Sequence, residues 1–444
     1  MTPPTFWEAF RVWLKIGLLS FGGPAGQIAI MHRTLVEERR WISESRFLHA
    51  LNYCMLLPGP EAQQLATYLG WLLHRTAGGV VAGLLFIVPG VLVMLGLSIL
   101  YATLRQVPAV EAVFFGVQAT VLAIVVEAVL RVGRRALKSR IHLGICAAAF
   151  VGLFVFALPF PVIVVGAGLA GLLLRPNAAA ARTAVDTAPA VIDGMFERGE
   201  LDHTRPSLAR AVRALLIWGG LWALPVVALW LGLGGDHILA QEGLFFSKAA
   251  ALTFGGAYSV LAYLAQQAVE VYGWLSPGEM LTGLGLAETT PGPLVLVVQF
   301  VGFLGAFHDP GALHPVLAGT FGAAITTWVT FAPCFLWIFL GAPYVEALRG
   351  NRALAAALSA ITAAVVGVIL NLSVWFALHT LFGEVHTVHT LGARLLVPVW
   401  STLDPAALVI AGVAGLALLR WHMGMLWVLA GGAAAGLVWK LGLA

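Results

Sequence analysis

Two interruptions in strongly apolar sequence gather the side chains best suited to chemistry. LLPGPEAQQLA runs from Leu56 to Ala66, and TTPGPLVLVVQ from Thr289 to Gln299. In each, the first proline frees carbonyls of the preceding helix, the glycine permits a sharp turn, and the second proline suits the first position of the next helix. A helix starting after Pro60 or Pro293 presents unpaired N–H groups and a partial positive charge. Such an end attracts anions. Asn52, Glu61, Gln63 and Gln64 flank the first break; Glu288, Thr289, Thr290 and Gln299 flank the second. Ser20, Gln27, Thr253 and Ser259 surround two glycine pairs, Gly22-Gly23 and Gly255-Gly256. Hydroxyl and amide N–H groups donate to oxyanion oxygens, so the expected chemistry is the holding of a small tetrahedral dianion. Singly, each of these residues also serves as a helix cap or packing group. No catalytic residue is expected.

Lys15 and Lys248 lie in apolar sequence before the glycine pairs. An intramembrane lysine faces a cavity or a partner and would offset a dianion; the alternative is snorkelling to the interface. Glu61 and Glu288 would repel an anion when ionised. Burial favours the neutral acid, which makes both candidates for proton coupling. For Glu61 the competing role is charge compensation in a first helical turn.

These residues sit in a chain of 444 residues that is 60% hydrophobic and only 10% charged. Soluble domains carry about 25% charged residues. Apolar runs of about 18 or more residues recur throughout, the mark of a polytopic membrane protein, expected in the cytoplasmic membrane. The N-terminal sequence shows no removable signal, and no barrel-like alternation occurs. Cys54, Cys146 and Cys334 are widely spaced and read as packing residues. The formal charge of +4 gives no reason to expect nucleic acid. No metal or cofactor motif is found: GAGLAG (166–171) lies in an apolar segment without strand context and reads as helix packing. The aromatic residues Trp41 and Trp274 read as interface anchors.

Thirteen hydrophobic segments are expected, at 9–31, 47–72, 79–104, 109–130, 141–157, 159–175, 211–232, 243–267, 279–306, 315–340, 353–380, 403–420 and 422–441. The halves repeat. At a constant offset of 233 residues, Lys15 falls on Lys248, SFGG (Ser20–Gly23) on TFGG (Thr253–Gly256), Glu37 on Glu270, Trp41 on Trp274, and Pro58-Gly59-Pro60 on Pro291-Gly292-Pro293. The shared residues are the rare ones, which makes the repeat specific. The expected organisation is a first transmembrane repeat at 1–175, a cytoplasmic linker at 176–210, a connecting helix at 211–232 and a second repeat at 233–444. Seven segments separate the two repeat starts, so the second enters from the opposite face, as in many secondary transporters. Thirteen plain crossings would place Arg33, Arg39, Arg40 and Arg46 outside, against the positive-inside rule. Re-entrant hairpins at the breaks place them inside. The expected fold class is therefore an all-α polytopic membrane protein with two inverted-topology repeats and broken or re-entrant helices.

The stretch from Phe21 to Gly70, FGGPAGQIAIMHRTLVEERRWISESRFLHALNYCMLLPGPEAQQLATYLG, resembles the signature region of the chromate ion transporter family, and the stretch from Phe254 to Phe303 resembles its second-half counterpart. The resemblance covers both halves, as in the long two-domain members. It implies export of chromate with resistance to it, and sulfate as competitor or alternative substrate. Carried onto this chain, the family positions are Phe21, Gly22, Gly23, Gln27, Trp41, Pro58, Gly59, Pro60, Glu61 and Gln64, then Phe254, Gly255, Gly256, Trp274, Thr290, Pro291, Gly292 and Pro293. Ala257 stands where the first half has Pro24, and Leu294 where it has Glu61, so unequal half-sites are expected. Charge and shape alone would fit sulfate equally, or a passive anion channel; a membrane reductase would need a cofactor site that the sequence does not show. The expected surroundings are the lipid bilayer and, for assembly, a homodimer.

Overall fold

The computed structural model describes residues 2–21, 23–174, 190–254, 257–344, 352–390 and 393–443. Its α-helices, in chain order, are α1 (Phe6–Leu19), α2 (Gly23–His32), α3 (Glu44–Cys54), α4 (Glu61–Leu104), α5 (Pro108–Ala136), α6 (Arg140–Phe154), α7 (Phe160–Leu174), α8 (Val191–Glu197), α9 (Leu208–Leu233), α10 (Ile238–Leu252), α11 (Ala257–Ala265), α12 (Pro277–Thr289), α13 (Val297–His308), α14 (Pro315–Gly341), α15 (Arg352–Leu381), α16 (Pro405–Leu419) and α17 (Met425–Val438). Six helical stretches among the described residues are long and apolar enough to cross a membrane: α4, α5, α9, α14, α15, and α17 taken together with the π-helical turn that continues it to Gly442. The protein is an all-α, multi-pass membrane protein.

Up to the first PGP break, the elements of one half recur in the other at the offset of the sequence match. Helix α1 stops at Leu19 and α10 at Leu252; α3 starts at Glu44 and α12 at Pro277. Between them, π-helical turns occupy Arg33–Glu38 and Gln266–Val271. The wider turn carries the chain past α-helical register: Trp41 N–H donates to the Leu35 carbonyl at 2.8 Å, and Trp274 N–H to the Ala268 carbonyl at 2.8 Å. Both indoles turn inward and are only 4% and 6% exposed. They are packed groups, which corrects the interface-anchor reading.

Segments expected at 9–31 and 47–72 are each broken in two. Helices α1, α2 and α3 have 14, 10 and 11 residues, short of the roughly 20 that a crossing needs. Helix α4 holds two helices joined at His74 and Arg75, where Arg75 takes a φ of 54°. The segment expected at 243–267 begins earlier, at Ile238, and is divided into α10 and α11.

The chain forms two compact units, each assembled from parts of both halves. The first comprises Met1–Gly96, Ala179–Ala257 and Thr290–Asn351; the second comprises Leu97–Ala178, Tyr258–Thr289 and Arg352–Ala444. In the first, α13 and α10 pack on α14, closing over buried Phe246, Phe300 and Phe303. Helix α9 lies at its outside and has no buried residue. Two indoles help to attach it: Trp218 stacks on Phe335 with ring centroids 4.9 Å apart, and Trp328 Nε1 donates to the Leu221 carbonyl at 2.7 Å.

Part of the expected linker is ordered against this unit. Val191 and Ile192 donate to the carbonyls of Arg40 and Trp41 at 3.1 and 2.9 Å, Arg46 pairs with Asp193, and the Arg46 guanidinium sits 4.0 Å from the Phe196 ring centre. At the far end of the segment, His203 Nε2 donates to the Trp71 carbonyl at 3.0 Å.

In the second unit, α15 packs on α5, α6 and α7, while α12, α16 and α17 pack on α5. Gly171 of GAGLAG approaches the α15 backbone so closely that a Cβ there would lie 2.6 Å from the Ala356 carbonyl oxygen. This agrees with the helix-packing reading. An antiparallel hairpin, β1 (Val385–Thr390) and β2 (Ala393–Pro398), stands between α15 and α16. Its faces are largely exposed; with no core face to bury, it left no clear alternation for the sequence reading to find. Glu270 holds it, accepting from Arg394 at 2.8 Å and from Trp375 Nε1 at 2.8 Å.

Candidate functional site

The two PGP turns lie in the first unit, and each is hydrogen-bonded to the glycine-pair break of the other repeat. Gly59 N–H donates to the Thr253 carbonyl at 2.8 Å, and Gly292 N–H donates to the Ser20 carbonyl at 2.8 Å. Ser20 and Thr253 are themselves repeat mates, as are Gly59 and Gly292, so the pairing is reciprocal. The glycines are required by conformation, with φ of +122° at Gly59 and +92° at Gly292, where L side chains are strained. Space also excludes a side chain at Gly59: a Cβ would lie 2.8 Å from Gln64 Nε2 and 2.9 Å from Cys334 Sγ.

Carbonyls of Ser20 and Thr253 are free to accept because α1 and α10 end there. Their hydroxyls turn back on their own helices, Ser20 Oγ to the Ile16 carbonyl at 2.6 Å and Thr253 Oγ1 to the Ala249 carbonyl at 2.7 Å. The matched hydroxyl donors are thus engaged as helix caps and retain only lone pairs.

Buried glutamines complete the cluster. Gln27 Nε2 donates to the Gly292 carbonyl at 2.6 Å, Gln64 Nε2 to the Pro58 carbonyl at 2.8 Å, and Gln299 Nε2 to the Val91 carbonyl at 3.0 Å. Gln63 Nε2 donates to Thr67 Oγ1 at 3.1 Å. Each amide carries a second N–H, and the Oε1 atoms of Gln27, Gln63, Gln64 and Gln299 are buried without a hydrogen-bond partner. Such groups are costly to bury unless something polar meets them. Helix α4 starts at Glu61, directly after Pro60; after Pro293 a 3₁₀ turn over Leu294–Leu296 precedes α13. Both starts direct first-turn N–H groups away from the helices they open.

The first unit thus brings together Ser20, Gln27, Pro58, Gly59, Pro60, Gln64, Thr253, Pro291, Gly292 and Pro293 of the expected site. Gly23 begins α2 with a φ of 74°. Thr290 is buried at the start of the second PGP turn. Glu61 is partly buried. Glu288 and Thr289 end α12 in the second unit, Glu288 buried and the Thr289 hydroxyl donating to the Leu286 carbonyl at 2.8 Å. Lys15, Asn52 and Lys248 are exposed. Gly22, Gly255 and Gly256 lie outside the described residues, as does the side chain of Ser259. Sequence reasoning did not find Cys334, buried beside Gly59, or Gly90, at which a Cβ would lie 2.1 Å from the Pro291 carbonyl oxygen. Neither stands near a break in the sequence, and only the packing of α14 and α4 brings them there. Among the described residues no group of His, Cys, Asp and Glu is placed to hold a metal ion.

Broken helices paired across two repeats, inside a multi-pass membrane protein, are the architecture of many membrane transport proteins. The chain belongs to the chromate transporter family, whose sequence pattern matches residues 7–172 and 240–437. These two matches fall on the two halves and leave α9 and the docked linker between them. The chain is similar to the chromate transport protein of Pseudomonas aeruginosa, 34% identical over 371 residues that make up 83% of this chain and 80% of the relative. It is 28% identical to the probable chromate transport protein of Synechococcus elongatus over 91% of this chain and 93% of the relative. It is 28% identical to the chromate transport protein of Cupriavidus metallidurans over 83% and 82%. No solved structure gives a significant match.

Proposed function

We propose that the protein is a secondary transporter that carries chromate out of the cytoplasm across the plasma membrane, with sulfate as competitor. The observation that carries the reading is the reciprocal pairing of Gly59 with Thr253 and of Gly292 with Ser20, which holds two helix starts and four glutamine amides in one unit. A tetrahedral dianion stripped of water needs donors on several sides. First-turn N–H groups after Pro60 and after Pro293 supply fixed ones. The second N–H groups of Gln27, Gln63, Gln64 and Gln299 supply adjustable ones, while their carbonyl oxygens accept from water or from a protonated anion. The halves contribute unequally: Glu61 opens α4, whereas Leu294 follows the second turn.

In this reading the repeats are inverted and the short helix pairs enter and leave the membrane on one face. Glu61 and Glu288 are candidates for exchanging protons with the coupling gradient, and Lys15 and Lys248 set the membrane depth of α1 and α10. The protein works as a homodimer or alone. Everted membrane vesicles test the function. Labelled chromate should accumulate in vesicles that contain the protein, and excess sulfate should reduce it. Accumulation no greater than in vesicles lacking the protein removes the export reading; uptake of sulfate without uptake of chromate makes this a sulfate carrier.

A further inference from the structure

Glu242 lies in the second turn of α10, well away from the paired breaks in sequence. It is 0% exposed, and neither carboxyl oxygen has a hydrogen-bond partner. The carboxyl faces a contact between α13 and α14 in the first unit. A Cβ at Gly322 of α14 would lie 2.9 Å from Glu242 Oε2 and 2.1 Å from the Gly302 carbonyl oxygen of α13. The absence of a side chain at Gly322 is therefore what leaves room for the acid. The backbone of Ala306 approaches the carboxyl without completing a hydrogen bond to it. Thr326, next to the same glycines, donates its hydroxyl proton to the Gly322 carbonyl at 2.8 Å.

Among the described residues, no basic side chain on the helices packed against α10 is buried beside the acid. Helices α9, α13 and α14 pack against α10. Among their described residues the titratable side chains are Arg210 and Arg213 on α9, His308 on α13 and Cys334 on α14; α10 itself adds Lys248. Arg210, Arg213, His308 and Lys248 are exposed, and Cys334 is buried beside Gly59. Past the helix ends, Asp236, Asp309 and His314 are exposed and His237 is half-buried, its Nδ1 accepting from Leu239 N–H. At an enclosed helix contact without such a partner an ionised carboxylate is costly, whereas the neutral acid is not. Packing does not explain the residue either. The matched position in the first repeat is Ala9, equally buried in α1, so an alanine suffices where only volume is needed.

Both helices against the carboxyl lead to the breaks. Helix α10 runs from Glu242 to Thr253, the acceptor of Gly59, a distance of about 16 Å along the helix axis. Helix α13 runs from Ala306 back to the turn at Gly292 and Pro293. A change of charge on Glu242 acts on the contact from which both helices extend.

We propose that Glu242 is a proton-binding site of the transport cycle: the side chain is held as the neutral acid at the Gly302–Gly322 contact and releases its proton when α10 shifts against α13 and α14. This rests on the transport reading for its consequence but not for its first test.

Proton titration of the purified protein reads the site without substrate. Wild type should bind one proton more per chain than Glu242→Gln over the titrated range, and equal counts overturn the proposal. Reconstituted vesicles then separate coupling from transport. Glu242→Gln should retain exchange of labelled chromate at equal concentrations and lose accumulation driven by a pH gradient. Gradient-driven accumulation and a pH profile equal to wild type overturn the proposal, as does loss of coupling in Glu61→Gln with none in Glu242→Gln. If Glu242→Gln does not fold, Glu242→Asp keeps an acid at altered depth; its pH profile should be displaced, and an undisplaced profile overturns the proposal. Absence of chromate exchange by wild type defeats the transport reading and leaves the titration to decide on the proton site.

Discussion

The amide of Gly292 donates to the carbonyl of Ser20 at 2.8 Å, joining the PGP turn of the second repeat to the glycine-pair break of the first. The converse bond, from Gly59 to Thr253, has the same length. Each break exposes what the other needs. Helices that stop at Ser20 and Thr253 leave carbonyls without a partner, and the turn glycines have N–H groups directed out of a bend. Pairing them satisfies main-chain groups that lipid would not.

Gly59→Val and Gly292→Val should abolish chromate transport while the protein still reaches the membrane. The positive φ at each position costs an L side chain about 1–3 kcal/mol. At Gly59 the added Cβ also collides with Gln64 and Cys334. Immunodetection in membrane fractions beside vesicle uptake checks this; uptake equal to wild type in either variant argues against a site built on the breaks.

Gln27→Leu should both destabilise the protein and weaken chromate binding. It removes the donor to the Gly292 carbonyl and leaves that buried oxygen unsatisfied, at a cost of about 1–3 kcal/mol. Gln299→Leu removes the donor to the Val91 carbonyl, which keeps its main-chain partner inside α4, so the smaller destabilisation is expected there. Thermal unfolding in detergent reads the first effect, and the chromate concentration giving half-maximal uptake reads the second.

The docked linker should loosen on acidification. Burial holds the His203 imidazole below its ordinary pKa, and the positive charges of Arg75 and Arg210 push the same way. The neutral ring donates through Nε2 to Trp71, while Nδ1 is buried without a partner. A lowered folded pKa means that the unfolded segment binds the proton more readily. The ring's contribution is complete above the ordinary value of about 6.5 and is lost as pH falls through the folded pKa. Hydrogen exchange of residues 190–204 should accelerate below about pH 6.5, and His203→Phe should remove most of that dependence.

Glu270→Ala should free the β1–β2 hairpin. It deletes the acceptor for both Arg394 and Trp375, partly exposed bonds to a charged group worth about 1–3 kcal/mol together. Faster proteolysis within 385–398, with α15 still protected, is the expected pattern.

The membrane class, the places where helices break and the repeat can all be read from the order of residues. Each of these is local. Apolar length marks a span, proline and glycine act on the backbone that contains them, and the matched SFGG, Trp41 and PGP residues recur at one offset. Which break meets which, and which polar groups gather there, follows from how distant helices pack. Lys15 and Lys248 belong to the same repeat pattern as Ser20 and Thr253, yet their side chains are exposed while the break residues are buried. Trp41 and Trp274 have the sequence character of interface anchors yet are buried, each just past a π-helical turn. Glu242 stands one residue before the segment expected at 243–267 and is enclosed, because Gly302 and Gly322 let α13 and α14 close around it. In each case the deciding quantity is the direction of a side chain relative to a helix distant in the chain, and periodicity along one segment does not contain it.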